Sequence, residues 1–283
     1  MTRPVKVVLS ITVSLCLVAA AALGIWLWAT YNKAPLPIDD RCTATVNGTT
    51  ATLDPEQAYH AALISGVSIK RGLAPRAASI ALTTAYQESG IRNLDFGHSD
   101  SLGLFQQRPS KGWGTVEQIM DPWYATTAFY QALVKVKNWR TGDINDVAQA
   151  VQRSAYPEAY RRHVTNARTL ASSLTGETPA SFSCVVRNPD EPDLDAMKTY
   201  LSKNLGKTVS FTTPDATTLV VTAKNDNVAW AAAHQAIAAT ANYGLTAVTV
   251  GDYSWTHNRS ALASWRGVGS HDTAKVVLSF AVD

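Results

Sequence analysis

Pro75-Arg76-Ala77-Ala78-Ser79-Ile80-Ala81-Leu82-Thr83-Thr84-Ala85-Tyr86-Gln87-Glu88-Ser89-Gly90 is the stretch on which the rest of the chain turns. Proline suits the first turn of a helix and glycine suits the left-handed residue that ends one, so the alanine-rich segment between them reads as a helix over 75–89. Glu88 then falls in the last turn, where the macrodipole favours cations over anions. That placement disfavours the charged form, which is how a glutamate acquires the raised pKa of a general acid. An exposed glutamate at a helix end is also common and costs only about 0.3–1 kcal/mol, so Glu88 by itself decides nothing.

Three segments in order alter the weight of that residue: Ala85-Tyr86-Gln87-Glu88-Ser89, then Gly103-Leu104-Phe105-Gln106, then Ala155-Tyr156-Pro157. Together they resemble the Glu-Ser, Gly-Leu-Met-Gln and Ala-Tyr-Asn motifs of the lysozyme-like lytic transglycosylases, a superfamily that includes goose-type lysozyme. The resemblance covers roughly Asp54 to Thr175. The longer run Asp100-Ser101-Leu102-Gly103-Leu104-Phe105-Gln106-Gln107-Arg108-Pro109, with Gly112-Trp113-Gly114 after it, looks like a bacterial exported branch of that superfamily. Phe105 in place of Met keeps an apolar wall. Pro157 in place of Asn removes an amide and a backbone N–H, which puts substrate contacts from that turn in doubt.

The resemblance implies an enzyme that cleaves the glycan strands of peptidoglycan, with Glu88 as general acid and then base. The attacking group is the sugar's own 6-hydroxyl, so a second carboxylate is dispensable. Water-using relatives place further aspartates in the preceding loop, where this chain has Asp95, His98 and Asp100. Asp100 is the best placed to hold a water across from Glu88, although short acidic side chains also bind backbone amides in turns. Ser89 is expected to orient Glu88 or the adjoining backbone. Gln106 and Tyr156 are expected to contact the sugar, and Tyr156 to turn its hydroxyl toward Glu88. Tyr86 and Trp113 are candidate walls for stacking sugar faces, with core packing as the alternative for each.

Outward from this region, the ends of the chain speak about location. Its 283 residues are enough for two domains, and 17% are charged against 46% apolar. Val7 to Thr30 is an almost unbroken apolar run behind Arg3 and Lys6. About 20 such residues cross a bilayer as a helix, and the positive flank places the N-terminus in the cytoplasm. A cleaved signal peptide ending at the small residues Ala19 to Ala22 is the competing possibility. Hydrophobicity that continues into Ile25-Trp26-Leu27-Trp28 favours an uncleaved anchor instead. The expected location is therefore the cell membrane, single-pass, with the bulk of the chain outside.

Cys16 lies in the apolar run, leaving Cys42 and Cys184 to bracket the motif-bearing region. In an oxidising exterior these two are expected to form a disulfide; the alternative is a pair of unjoined thiols. Asn47-Gly48-Thr49 matches a glycosylation acceptor, a tripeptide too common to carry weight.

The expected organisation is α+β and multidomain: an anchor over 1–31, a stalk over 32–41, a mainly helical lysozyme-like domain over 42–176, a linker over 177–193 and a small α+β domain over 194–283. Asp54-Pro55-Glu56-Gln57 has the form of a capping box opening the first helix. Asp121-Pro122 repeats the start for a helix to about Val136, another begins at Asn145 or Asp146, and the last runs from Glu158 to Leu174. Residues 91–113 lack helical periodicity and read as a long functional loop. Beyond the linker, helices at Leu194–Leu205 and Val228–Tyr243 alternate with strands near 208–212, 218–222, 246–250 and 275–282.

Residues 190–283 carry 7 basic and 9 acidic side chains, and residues 1–189 carry 18 and 13. A mildly basic first part tolerates an anionic cell wall. The C-terminal part leaves three roles open: regulation of the cleft, binding of an envelope protein as a partner, or a spacer. The six histidines are scattered, which excludes an evident zinc site, and neither a phosphate-binding loop nor a basic-aromatic nucleic-acid surface is present. No metal or cofactor is expected. A non-catalytic wall-binding or envelope-assembly module that keeps the cleft is the rival to an enzyme.

Overall fold

Asn47 and Gly48 close the first structural unit of the chain. Both have positive φ, 49° and 78°, the conformation that a two-residue type I′ hairpin turn demands. They join β1 (Arg41–Val46) to β2 (Thr49–Leu53), with Val46 opposite Thr49 and Cys42 opposite Leu53. The computed structural model describes residues 18–24, 39–73, 75–154, 156, 158–269 and 272–280. On the other side of β1 lies β3 (Phe182–Val185), which sets Cys184 directly opposite Cys42. The expected disulfide joins them, with Cα atoms 4.0 Å apart and a sequence separation of 142. Closing a loop of that length stabilises by up to about 4–5 kcal/mol in the chain-entropy picture.

Asp54 caps α1 (Pro55–Lys70) through the expected box: Gln57 N donates to Asp54 Oδ1 at 2.9 Å, and Asp54 N to Gln57 Oε1 at 3.0 Å. The helix is small and apolar on almost every face, with Ala58, Ala61, Ala62, Leu63, Ile64 and Val67 all buried, so it runs through the core. Around it pack α2 (Pro75–Ser89), α4 (Pro122–Leu133) and α6 (Val164–Leu174), with the shorter α3 (Val116–Met120) and α5 (Ile144–Gln152) outside. The last helix of this part was expected from Glu158. It begins at Val164, after a 3₁₀ turn at Arg161–His163.

The C-terminal half supplies α7 (Leu194–Leu205), α8 (Asp226–Ala238), α9 (Thr240–Tyr243) and a six-stranded antiparallel sheet. Its strands are β4 (Val209–Asp215), β5 (Thr218–Ala223), β6 (Leu245–Val250), β7 (Tyr253–Thr256), β8 (Arg266–Gly267) and β9 (Lys275–Phe280), in the order β4-β5-β9-β6-β7-β8. Helix α8 is buried from Val228 to Ala238, because it lies between that sheet on one side and α1, α6 and β3 on the other. The fold is α+β.

Residues 39–283 form one compact unit. A buried polar chain crosses the expected boundary: Trp123 Nε1 donates to Asn204 Oδ1 (2.8 Å), Asn204 Nδ2 to Gln235 Oε1 (3.2 Å) and Gln235 Nε2 to the Leu174 carbonyl (3.1 Å). The segment 177–193, expected as a linker, contains β3, and residues 181–186 around it are mostly buried in the core, whereas 187–193 are largely exposed.

Most of the expected anchor and stalk lies outside the described residues. Of the apolar run only 18–24 are described, as helix with exposed side chains. Among the described residues no helix is long and apolar enough to cross a membrane.

Candidate active site

Helix α2 buries Ala77, Ala78, Ala81 and Ala85, small residues that admit close neighbours, together with the larger Ile80 and Leu82. It ends as expected at Ser89, and Gly90 adopts the left-handed φ of 65°. Ile91 follows at φ 60°, a β-branched, fully buried residue in a region that costs about 1–3 kcal/mol. Several bonds hold this turn. Gln57 Nε2 donates to the Gly90 carbonyl at 2.8 Å, Arg92 pairs with both Asp54 and Glu56, and Arg92 N donates to Ser89 Oγ at 3.2 Å. The capping box of α1 thus also anchors the turn that follows Glu88.

Ser89 joins that turn to the next segment. Its hydroxyl donates to the Leu104 carbonyl at 2.7 Å, with the Ala85 carbonyl at 3.1 Å as the alternative acceptor. Leu102 and Gln107 exchange both backbone bonds at 2.9 Å, so residues 103–106 form the tip of a tight hairpin. Gly103 and Gln106 have φ of 75° and 46° there. Phe105 is fully buried against Phe129, ring centroids 4.6 Å apart.

Glu88 is half-buried beside this hairpin. The Tyr160 hydroxyl donates to Glu88 Oε1 at 2.6 Å. Gln152 Nε2 donates to the Phe105 carbonyl of the hairpin tip at 2.7 Å. Burial pushes the Glu88 pKa above the ordinary carboxylate value, while the Tyr160 bond and the Gln152 amide draw it back. The direction is the one expected from sequence, but its cause is withdrawal from water. Tyr160 is fully buried, and its own ionisation is pushed well up by burial and by the adjacent carboxylate, so it stays a donor.

Other expected site residues are placed differently. Tyr156 is 74% exposed, and the tyrosine on Glu88 is Tyr160. The dipeptide Ala159-Tyr160 repeats Ala155-Tyr156 four residues on, and a turn at 158–160 carries the second tyrosine inward. That repetition was the sequence signal for Tyr160. Asp100 has both oxygens engaged. Ser110 N donates to Oδ2 at 2.8 Å and Arg108 Nε to Oδ1 at 2.6 Å, which together hold this carboxyl far below its usual range. It serves the 100–110 loop as a fixed anion, and no hydrogen bond among the described residues ties it to Glu88. Asp95 and His98 are exposed.

Gln106 is committed within the protein, its Nε2 donating to the Phe96 carbonyl at 3.2 Å with the Gly103 carbonyl at 3.4 Å. Tyr86 stacks on His163 with ring centroids 5.2 Å apart and planes 2° from parallel. Its hydroxyl is buried, and its pKa is raised to about 12 by that burial, so packing is its role. Trp113 is partly buried against the core. Among the described residues no three His, Cys, Asp or Glu side chains converge as metal ligands. The arrangement is a single carboxylic acid with raised pKa, oriented by a phenol, beside a hairpin tip. Compared with known proteins, the chain matches no family model and no curated protein.

Proposed function

We propose that this chain is a peptidoglycan lytic transglycosylase held at the cell membrane by its N-terminal segment, with Glu88 as its general acid and base. The observation that carries it is the Glu88 site: a half-buried carboxyl with raised pKa that accepts from the Tyr160 hydroxyl, while Asp100, the carboxylate expected to hold water, is bound by Arg108 and Ser110. Protonated Glu88 gives its proton to the glycosidic oxygen as the bond to the anomeric carbon breaks and positive charge develops on the sugar. The resulting carboxylate takes the proton of the 6-hydroxyl of the same sugar as that oxygen bonds to the anomeric carbon. The product is an anhydro ring, and Glu88 ends protonated as it began. With Asp100 bound to Arg108 and Ser110, the carboxylate expected to activate water across the ring is engaged elsewhere, which favours the intramolecular route.

In this proposal residues 42–176 are the lysozyme-like catalytic part, 1–31 the anchor, and 194–283 a part that also meets an envelope protein. The test is digestion of purified cell wall by the full chain and by its Glu88→Gln variant. Soluble fragments ending in an anhydro sugar are expected from the first, with a loss of about 10²–10⁴-fold in the second. Fragments with a free reducing end would replace transglycosylation by hydrolysis. Equal release by the two proteins would remove Glu88 as the acid, and wall binding with no release by either would leave the non-catalytic wall-binding module.

A further inference from the structure

Phe96 stands out among the apolar side chains of the 91–113 segment, because 67% of it faces water. Burying a phenylalanine gains about 1.5–3 kcal/mol, and this loop leaves that gain unused. The loop is nonetheless closely fixed through its backbone. Gly103 N donates to the Leu94 carbonyl at 2.7 Å, Ser101 N to the His98 carbonyl at 3.2 Å, and Gln106 Nε2 to Phe96's own carbonyl. Gly97 completes the fit, since a Cβ there would collide with Gln106 Oε1 and come within 2.6 Å of the Ser101 carbonyl. The segment therefore holds its main chain against the hairpin and its ring outward.

The connection to the acid is short. Gln106 stands two residues after Leu104, whose carbonyl accepts from the hydroxyl of Ser89, next in the chain to Glu88. Side-chain bonds from Gln106 and Ser89 thus tie the Phe96 loop and the end of the Glu88 helix to the same hairpin tip. In the same loop, Asp95, His98 and Ser99 are exposed and polar. A single aromatic face in a loop of hydrogen-bonding groups suits a pyranose, which offers C–H bonds on one face and hydroxyls at its edge. Protein partners are marked instead by contiguous apolar patches of several hundred Å².

We propose that Phe96 is a saccharide-stacking platform that takes a sugar ring of the glycan strand next to Glu88, and that Gln106 is the positioning residue that sets its loop. This rests on the reading of the site as a glycan-cleaving one, so the experiment separates the two. In the full chain carrying Glu88→Gln to block turnover, binding to peptide-free glycan strands is measured with Phe96, Phe96→Ala and Phe96→Tyr. Phe96→Ala is expected to weaken binding about tenfold and Phe96→Tyr to retain it, with no change in the unfolding midpoint because the ring is exposed. Gln106→Ala should weaken binding too, and its effect should vanish when Phe96 is already Ala, a non-additivity that general damage to the fold would not produce. Equal binding by Phe96→Ala overturns the platform and leaves the cleavage proposal standing. Phe96-dependent binding by a protein that releases no fragments does the reverse, and absence of any glycan binding overturns both.

Discussion

At Glu88, two neighbours oppose the effect of burial. Withdrawal from water raises the acid's pKa, and the Tyr160 hydroxyl and the Gln152 amide favour the carboxylate and lower it again. Removing the phenol should therefore move the acid further up. In Tyr160→Phe the alkaline limb of the pH–rate profile, which reports loss of the proton from Glu88, is expected at higher pH than in the parent. The maximum should fall about 10- to 100-fold because the carboxyl is less well oriented. A limb that stays in place or moves to lower pH would show that Tyr160 does not bear on the acid. The same raised pKa has a stability consequence. The folded state holds the proton more tightly than the unfolded chain, so this contribution is complete below the unfolded pKa and is lost as pH rises through the folded one. Near neutral pH the site is thus a local liability, a common feature of groups kept for chemistry.

Among the elements, α1 makes the closest approaches. A Cβ on Gly66 would stand 2.7 Å from both Asn204 Cβ and Gln235 Oε1, so glycine is what lets α1 meet α7 and α8 at the buried polar chain. Gly66→Ala is expected to destabilise by about 1–3 kcal/mol, read as a lower urea midpoint with an unchanged slope, despite alanine's better helix propensity. A midpoint at or above the parent's would mean that α7 can yield there. Helices with punctuation in the sequence were legible: Asp54-Pro55 and Asp121-Pro122 open helices, Gly90 closes one, and α7 has the bounds expected of it. The three-stranded sheet was not. β1 and β3 are short and rich in Ser, Thr, Ala and Cys, and the Asn47-Gly48 pair that turns the hairpin is also the start of a glycosylation tripeptide. At the site, the ordered motifs located Glu88, Ser89 and the hairpin. Which tyrosine meets the acid depended on the turn at 158–160, which no periodicity announces.

Across residues 39–283, the two halves meet where α6 ends against α8. His234 lies at this contact, fully buried, its Nδ1–H donating to the Ser173 carbonyl at 2.8 Å, among the rings of Phe182, Trp230 and Trp265. Its Nε2 is buried without a partner among the described residues. Burial lowers its pKa to about 4, and the Ser173 bond offsets only part of that. An unfolded histidine takes up its proton near pH 6.5, whereas this one stays neutral until far lower pH, so the unfolded state binds more protons through that interval. The contribution of His234 is therefore expected to be full above about pH 6.5 and to decline as pH falls toward 4, by about 3 kcal/mol in all. His60 and His257 are lowered by burial as well and add to the same slope. His234→Gln keeps a donor for Ser173 but has no proton to gain in this range. Its unfolding free energy, measured by urea titration from pH 7.5 to 4, should fall less steeply than the parent's, and parallel curves would show that His234 does not couple the junction to acid.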